Sequence, residues 1–375
     1  MTVFIKGRID SSNAAETENN INEQIGDSVD ELTFDASELD YISSAGLRVI
    51  LRFKKAYPST KIINCNSEIY EIFDMTGFTE MMDISKAYRK LSVQNCEVIG
   101  EGANGIVYRT DPDTIVKVYK KPDSLDEIHN ERELARKAFI MGIPTAIPYD
   151  VVQVGDLYGS VFELLNAESF SQLLSEGGDV DELAKASIDI LKTIHNTELK
   201  DGELPSKKQE SLGWAEYCKP YLPEEIGEKL IKLFNEIPES NGMLHGDYHI
   251  KNIMCQNGEN LLIDMDTLSV GHPVYEFSQM YLAYLGFSET NPDDVMKFLG
   301  IDRDTSMKFW ECSLKYYFEG KDADYINDVV IKARIIAYAR LLRRTLKRKP
   351  EKTDIIENCK KQLCELVPVT DKLYF

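Results

Sequence analysis

The sequence of 375 residues lacks the features that indicate a membrane protein, a disulfide framework or a zinc site. No apolar run approaches the roughly 20 residues that cross a bilayer, and the first segment turns polar too early for a secretion signal. The seven cysteines lie scattered, without a Cys-x-x-Cys pair. We therefore expect a cytoplasmic protein that does not contact membranes and keeps its thiols reduced.

Positive charge is also scarce, since 43 lysines and arginines stand against 63 acidic residues and give a formal net charge of -20. This balance opposes binding to nucleic acid, and we expect none. The densest basic run extends from Arg340 to Lys349, at the end of a predicted helix. Because cations are favoured at the C-terminal ends of helices, we interpret this run as a solvated helix end.

The length exceeds what one hydrophobic core usually organises, and the pattern predicts two domains, 1–88 and 89–375. In the first domain, strand-like and helical segments alternate. The second domain is rich in strand patterns from about residue 93 to 165, and mainly helical from about 166 to the end. The fold class is therefore α+β with more than one domain.

Three glycines, Gly100, Gly102 and Gly105, lie between two strand-like segments. Taken alone, such spacing fits a dinucleotide fold, a kinase glycine loop or a tight turn. The dinucleotide alternative fails because its glycines lead from a strand into a helix, whereas here another strand follows. A phosphate loop and a plain hairpin turn both stay open on this motif alone.

Lys117 occupies the next predicted strand, where its ammonium could reach phosphates covered by the glycine loop. Sixteen residues later, Glu133 lies on a predicted helix and is the expected partner that orients Lys117. Glu131 competes for that role. The alternative for each is a solvent-exposed charged side chain.

The strongest signal is Met243–Met254, which contains HGDYHIKN, followed by Leu261–Asp266 with IDMD. Asp247 supplies a carboxylate, while Asn252 and Asp264 supply further oxygen ligands. Phosphoryl transfer needs a carboxylate beside the attacking hydroxyl and oxygen ligands that hold magnesium against the phosphates. A loop followed by a short hairpin can bring all three side chains into one cleft, so the segment predicts a magnesium–nucleotide site.

These motifs resemble the catalytic loop and metal aspartate of aminoglycoside and choline phosphotransferases, which are relatives of the protein kinases. The resemblance implies a bilobal kinase-like fold, with an N-lobe at about 93–165 and a C-lobe at about 166–375. It also implies Asp247 as the base, magnesium on Asn252 and Asp264, and an adenine hinge at Glu163 and Leu164. ATP phosphates would lie on the three glycines and Lys117.

Departures from the protein-kinase pattern favour a small acceptor. Asp266 replaces the glycine of Asp-Phe-Gly, and His249 replaces a catalytic-loop lysine. Only a short run separates Asp266 from the helix-like sequence at Tyr275, which leaves no activation segment for docking a protein substrate. We therefore expect transfer from ATP to a hydroxyl of a small polar molecule.

The first domain resembles STAS domains of the anti-sigma-factor-antagonist kind, on the segments Asp35–Ser37 and Tyr41–Leu47. The resemblance implies a regulatory domain with a protein partner. It makes Ser44 a candidate phosphoacceptor at a helix N-terminus, where added negative charge is stabilised. Plain helix capping is the alternative for Ser44.

Two other functions remain open. The kinase-like domain could bind nucleotide as a signalling module without effective turnover, or it could phosphorylate a serine of a STAS domain. Intact Lys117, Asp247, Asn252 and Asp264 argue against the first, and the short run after Asp266 argues against the second.

Overall fold

The computed structural model describes residues 1–25, 31–102, 104–146, 148–165, 167–200 and 202–375. The chain divides into two compact units, one of residues 1–95 with 151–159 and one of residues 96–150 with 160–375. In the described residues no helix is both long and apolar enough to traverse a bilayer. The boundary between residues 88 and 89 stays a prediction.

The first unit has a four-stranded parallel sheet in the order β1-β2-β3-β4. Consecutive parallel strands need crossover connections, which here contain helices. The elements are β1 Thr2–Ile9, α1 Ala14–Ile25, β2 Thr33–Ile42, α2 Ser44–Ala56, β3 Lys61–Cys65, α3 Ser67–Met75, α4 Phe78–Met81 and β4 Ile84–Lys86.

Helix α2 packs closely on the sheet because Gly46 has no side chain. A Cβ at Gly46 would lie 2.7 Å from Ile42 Cγ1 and 2.8 Å from Ile9 Cγ2. The fully buried Phe34 and Ile50 lie in the same core. This packing fixes the start of α2, which carries Ser44.

A short strand, β5 Arg89–Lys90, pairs in parallel with β9 Asp150–Val154, through Arg89 opposite Val152 and Lys90 opposite Gln153. Strand β10 Leu157–Glu163 follows β9, and the division between the two units falls within it.

The second unit begins with an antiparallel meander of β6 Glu97–Glu101, β7 Gly105–Asp111 and β8 Thr114–Tyr119. Helix α5 Leu125–Ile140 follows it. Two small sheets come next, one with the order β11-β13-β14 and one that pairs β12 with β15. Their strands are β11 Glu168–Ser169, β12 Met243–Leu244, β13 Ile253–Gln256, β14 Glu259–Leu262 and β15 Ser269–Val270.

Helices make up most of the rest of the second unit and enclose its large apolar core. They are α6 Phe170–Ser175, α7 Val180–His195, α8 Lys207–Cys218, α9 Glu224–Asn235, α10 Val274–Tyr284, α11 Asp294–Leu299, α12 Arg303–Tyr317, α13 Ala323–Arg348 and α14 Thr353–Leu366. Helix α13 packs on both α10 and α8, and α10 begins four residues after β15.

Candidate active site

The glycine segment forms the turn between β6 and β7. Gly102 N–H donates to the Gly105 carbonyl at 2.9 Å. A Cβ at Gly105 would lie 2.7 Å from Val118 O, so this glycine is required by packing. At Gly100 and Gly102, an added Cβ would meet nothing closer than 3.9 Å. Packing therefore does not explain these two glycines, and their surroundings leave room for a ligand to approach the backbone.

Lys117 lies on β8 and joins two parts of the second unit. Its Nζ lies 2.9 Å from Glu131 Oε1, 3.1 Å from Glu131 Oε2 and 3.4 Å from Asp264 Oδ1. Burial alone would lower the pKa of the Lys117 ammonium, but the Glu131 and Asp264 carboxylates outweigh burial and raise the pKa. Lys117 is therefore held as a charged group between α5 and the hairpin that carries Asp264.

The prediction of Glu133 as the partner of Lys117 is wrong. The Glu133 side chain is 65% exposed and pairs with Lys137 at 2.8 Å on the same helix, whereas the Glu131 side chain is 5% exposed. Two residues along an α-helix differ by about 200° in direction, so both glutamates cannot face β8. The buried Tyr119 hydroxyl also donates to Glu131.

The loop between β12 and β13 is fixed by a buried carboxylate on α10. Glu276 accepts hydrogen bonds from the His245 N–H at 2.6 Å and the Gly246 N–H at 3.0 Å. Gly246 has a φ of 82°, and a Cβ there would lie 2.4 Å from the Thr267 carbonyl oxygen. The Thr267 hydroxyl in turn donates to the His245 carbonyl at 2.8 Å. These contacts place Asp247 at a defined point of a rigid loop.

The Asp247 side chain is 40% exposed, and His249 Nε2 lies 3.6 Å from its Oδ2. Burial would raise the pKa of Asp247, but the adjacent His249 imidazole, with the charges of His245 and Arg340, lowers it to about 2. Asn252 Nδ2 donates to the Asp247 carbonyl at 2.9 Å, which orients the Asn252 amide. The carboxylate is therefore ionised, oriented and open to a ligand.

Asp264 follows a tight hairpin whose turn residues, Asn257 and Gly258, have φ values of 52° and 84°. Asn-Gly is the preferred pair for such a turn because both positions need positive φ. The Ile263 N–H donates to the Asn252 carbonyl at 3.0 Å, which brings Asp264 beside the catalytic loop. Asp264 itself has a φ of 64°, an uncommon backbone conformation outside glycine.

The donor set fits magnesium. The Asn252 amide nitrogen forms a hydrogen bond within the loop, so the amide oxygen can serve as a metal ligand. Asp264 supplies a carboxylate ligand. The residues that the structure describes contain no group of three or more His, Cys, Asp or Glu that could hold a metal. Mg²⁺ needs no such group, because it commonly uses one or two protein carboxylates together with water and substrate phosphates.

A second aspartate lies beside this pair. Burial, followed by the charge of Asp264, raises the pKa of Asp266 to about 7. Asp266 therefore lies in a partly buried position close to the Asp264 carboxylate, with the Lys117 ammonium partly opposing the shift of its pKa.

The predicted hinge lies at the end of β10. The Leu164 N–H donates to the Asp113 carbonyl at 2.9 Å, so it cannot donate to a nucleotide base while that bond is made. Glu163 is exposed and Leu164 is half-buried. Glu163 is therefore the more accessible of the two predicted hinge residues.

Sequence reasoning missed three residues of this site. Glu276 could not be identified from the sequence, because the loop residues that it binds, His245 and Gly246, lie about 30 positions earlier in the chain. His249 was noted only as a departure from the protein-kinase pattern, yet it lies against the Asp247 carboxylate. Arg340 was included in a solvated helix end, but its Nη1 is buried without a hydrogen-bond partner in the described part of the chain. For Arg340, that prediction is wrong.

In the first unit, α2 begins at Ser44, and the preceding Ser43 is the N-cap. The Ser43 hydroxyl accepts from the Ala45 N–H at 3.2 Å. Ser44 is exposed. Helix capping therefore belongs to Ser43, and the Ser44 hydroxyl stays accessible at the first turn.

Comparisons with known proteins match the chain to two family models. Residues 95–301 match the family model described as Phosphotransferase enzyme family, and residues 1–91 match the STAS domain. A curated relative, the Putative anti-sigma factor antagonist BtrV of Bordetella bronchiseptica, is 29% identical over 87 residues, 22% of this chain and 75% of that protein.

Among solved structures, the ADP-bound aminoglycoside phosphotransferase APH(2'')-Ib aligns with a TM-score of 0.51 at 17% identity, over 81% of this chain and 99% of that one. A thermostable mutant of aminoglycoside phosphotransferase APH(4)-Ia, in a ternary complex with AMP-PNP and hygromycin B, aligns with a TM-score of 0.52 at 12% identity. That alignment covers 73% of this chain and 93% of the other. At these identities, the likeness is one of fold.

The predicted fold class is confirmed: a STAS-like α/β domain precedes a kinase-like fold of the aminoglycoside phosphotransferase type. Because the phosphotransferase model matches more than half of the residues, the chain belongs to the Phosphotransferase enzyme family and carries an N-terminal STAS domain.

Proposed function

We propose that this protein transfers the γ-phosphate of ATP to a hydroxyl group of a small polar molecule. Asp247 is the base, Lys117 binds the ATP phosphates, and Asn252 and Asp264 hold Mg²⁺. Neighbouring structures described as bound to ADP, AMP-PNP and GDP support the binding of a purine nucleotide. The STAS domain regulates the enzyme or binds a protein partner, as the anti-sigma-factor antagonist likeness suggests.

One observation carries the proposal. Lys117 Nζ lies 2.9 Å from a Glu131 oxygen and 3.4 Å from Asp264 Oδ1, although 147 positions separate Lys117 from Asp264. A charged lysine directed at the metal aspartate is the arrangement that positions nucleotide phosphates in kinases.

The low pKa of Asp247, about 2, constrains the chemistry. Such a carboxylate is too weak a base to ionise a free hydroxyl before the reaction begins. In the loose transition state of phosphoryl transfer, the acceptor oxygen bonds to the γ-phosphorus as the bond to the β-phosphate oxygen breaks. The hydroxyl proton passes to Asp247 late in this step, and ADP leaves. The main role of Asp247 is therefore to orient the hydroxyl.

When bound, Mg²⁺ supplies charge neutralisation for the phosphates. Its protein ligands are the Asp264 carboxylate and the Asn252 amide oxygen, and Asn252 is kept in place by its bond to the Asp247 carbonyl. Lys117, whose Nζ lies 3.4 Å from Asp264 Oδ1, would bind the same phosphates. Gly100 and Gly102 let the backbone approach them closely.

Release of ADP from ATP in the presence of Mg²⁺ and a panel of hydroxyl compounds tests this function. Asp247→Ala should abolish acceptor-dependent release. The matched control is Asp189→Ala, which removes an exposed aspartate that pairs with Lys185 at 3.1 Å on α7. Acceptor-dependent release that survives Asp247→Ala would contradict the proposal. ATP binding without turnover on any acceptor would favour a nucleotide-binding signalling module.

A second candidate function is phosphorylation of a STAS serine. The exposed Ser44, which the N-cap Ser43 leaves free of a capping role, favours it. Intact-mass analysis after incubation with Mg-ATP tests it, with Ser44→Ala as the variant and Ser12→Ala as the control. A phosphate adduct that disappears only in Ser44→Ala supports the candidate, and an unmodified chain excludes transfer to Ser44 in the same molecule.

A further inference from the structure

Helix α13 carries basic side chains towards the candidate base. The Arg340 guanidinium lies 5.4 Å from the centre of the Trp214 ring on α8, and Arg344 lies 5.8 Å from the Phe287 ring. Neither arginine has a hydrogen bond or an ion pair within the described part of the chain. Their guanidinium groups therefore rest on aromatic rings rather than on carboxylates.

A continuous row of side chains joins Arg344 to Asp247. The Phe287 and Phe298 rings lie 5.4 Å apart, and Phe298 lies 5.1 Å from the His249 ring. His249 Nε2 is 3.6 Å from Asp247 Oδ2. We call this row, with Arg340 and Trp214, the acceptor wall. It is apolar and aromatic in its middle and cationic at α13.

The electrostatic interactions of Arg340 and Arg344 are consistent with their position near Asp247. Burial lowers the pKa of Arg340, against the raising effect of the nearby charges of Asp247, Glu210 and Glu276. Burial and the neighbouring Arg348 lower the pKa of Arg344, although Asp247 opposes them. The two arginines thus lie close enough to act on the charge of Asp247.

The arrangement is unfavourable without a further anion. Arg340, Arg344 and Arg348 repeat every four residues, so they lie on one face of α13, where like charges repel. Among the described residues, the buried Arg340 Nη1 also has no hydrogen-bond partner, and a buried donor without an acceptor destabilises the fold. Acidic residues outnumber basic ones by 63 to 43 in this chain, yet none forms an ion pair with these arginines in the part that the structure describes.

We propose that the acceptor of the phosphoryl group is an anion, a small alcohol that also carries a carboxylate or phosphate group held by Arg340 and Arg344. This inference rests on the proposed function and names its substrate class. A guanidinium offers a planar pair of donors that matches an oxyanion. The aromatic part of the acceptor wall packs against the carbon skeleton, while the hydroxyl reaches Asp247. A cationic acceptor would meet two arginines at the same place.

Binding is tested first, without turnover. Trp214 is one of two tryptophans in the chain, and it lies under Arg340, so its fluorescence should respond to an anion there. Full-length protein with Mg-ADP is titrated with glycerate, glycerol 3-phosphate, glycerol and ethanolamine. We expect saturable changes with one or both anions, and none with the neutral or cationic compounds. The two anions distinguish a carboxylate site from a phosphate site.

Variants locate the site. Arg340→Met should weaken binding of the responding anion about tenfold to a hundredfold, the usual effect of losing hydrogen bonds to a charged group. The matched control, Lys347→Met, removes the same charge from the same helix, but Lys347 lies over Tyr217 at 4.6 Å, and neither residue is part of the acceptor wall. It should bind like the wild type. Equal binding by wild type and Arg340→Met, or equal loss in both variants, would overturn the proposal.

ADP release with the same compounds and with kanamycin separates the two proposals. Turnover on an anionic alcohol, with a KM raised in Arg340→Met and an unchanged KM for ATP, supports both. Turnover on kanamycin or ethanolamine alone would overturn the anionic acceptor while leaving the phosphotransferase intact. ATP binding without turnover on any compound would count against the proposed function, and the fluorescence titration would then decide the anion site by itself.

Discussion

Replacing Glu131 with glutamine tests the ion pair that orients Lys117 in the candidate site. The change keeps the size of the side chain and removes its charge. Glu131 then no longer compensates Lys117, whose side chain is only 18% exposed. At about 3 Å and an effective dielectric constant of about 20, two unit charges attract by about 5 kcal/mol, part of which is offset by their desolvation.

Removal of one partner of a buried pair costs about 3–5 kcal/mol, and we expect a value near the lower end because Asp264 still lies beside Lys117. The free energy of unfolding of the second unit should fall by about 3 kcal/mol. At about 2–4 °C per kcal/mol, this lowers its melting temperature by roughly 6–12 °C. Because Lys117 also loses its orientation, kcat/KM for ATP should fall about a hundredfold.

Both tryptophans, Trp214 and Trp310, lie in the second unit, so a fluorescence melt follows that unit alone. The control is Glu133→Gln, which removes an equal charge two residues away from an exposed pair with Lys137. It should change stability by no more than about 0.5 kcal/mol. Wild-type melting and activity in Glu131→Gln, or equal losses in both variants, would refute the assignment of Glu131.

Two further predictions follow from packing and burial. Gly105→Ala should reduce both stability and nucleotide affinity, because its Cβ would lie 2.7 Å from the Val118 carbonyl oxygen. Gly100→Ala should reduce only nucleotide affinity, because its Cβ would meet nothing closer than 3.9 Å. Thermal melts combined with ATP titrations distinguish the two variants. Burial lowers the pKa of His245, although the charge of Glu276 opposes this shift. The folded state therefore favours neutral His245, and this contribution to stability is complete above about pH 6.5. Stability should decrease as the pH falls below that value and His245 becomes protonated. Melts of wild type and His245→Gln between pH 5 and 8 check this, and an equally steep decrease in the variant would argue against the role of His245.

The contiguous motifs could be predicted from the sequence because local chemistry determines them. The hairpin after Asn252 has an Asn-Gly turn, and the two predicted strands on either side of the glycines pair as β6 and β7. The choice between Glu131 and Glu133 could not be predicted, because it depends on which face of α5 meets β8. A helix with charges on several faces does not reveal this orientation.

The contribution of α13 was harder still to foresee. Arg340 lies 93 positions from Asp247, and a basic run near a helix end has the same pattern whether water or an active site surrounds it. Packing of α13 on α8 and α10 decides between the two, and it brings Arg340 onto Trp214. Long-range packing of this kind leaves no local signal.

The central claim is transfer of phosphate to a hydroxyl with Asp247 as base, and ³¹P NMR of the reaction mixture tests it most directly. Wild-type protein with Mg-ATP and a responsive acceptor should produce a phosphomonoester signal in step with ADP, and Asp247→Asn should produce neither. ADP formed with inorganic phosphate but no ester, or an ester formed equally by Asp247→Asn, would contradict the account.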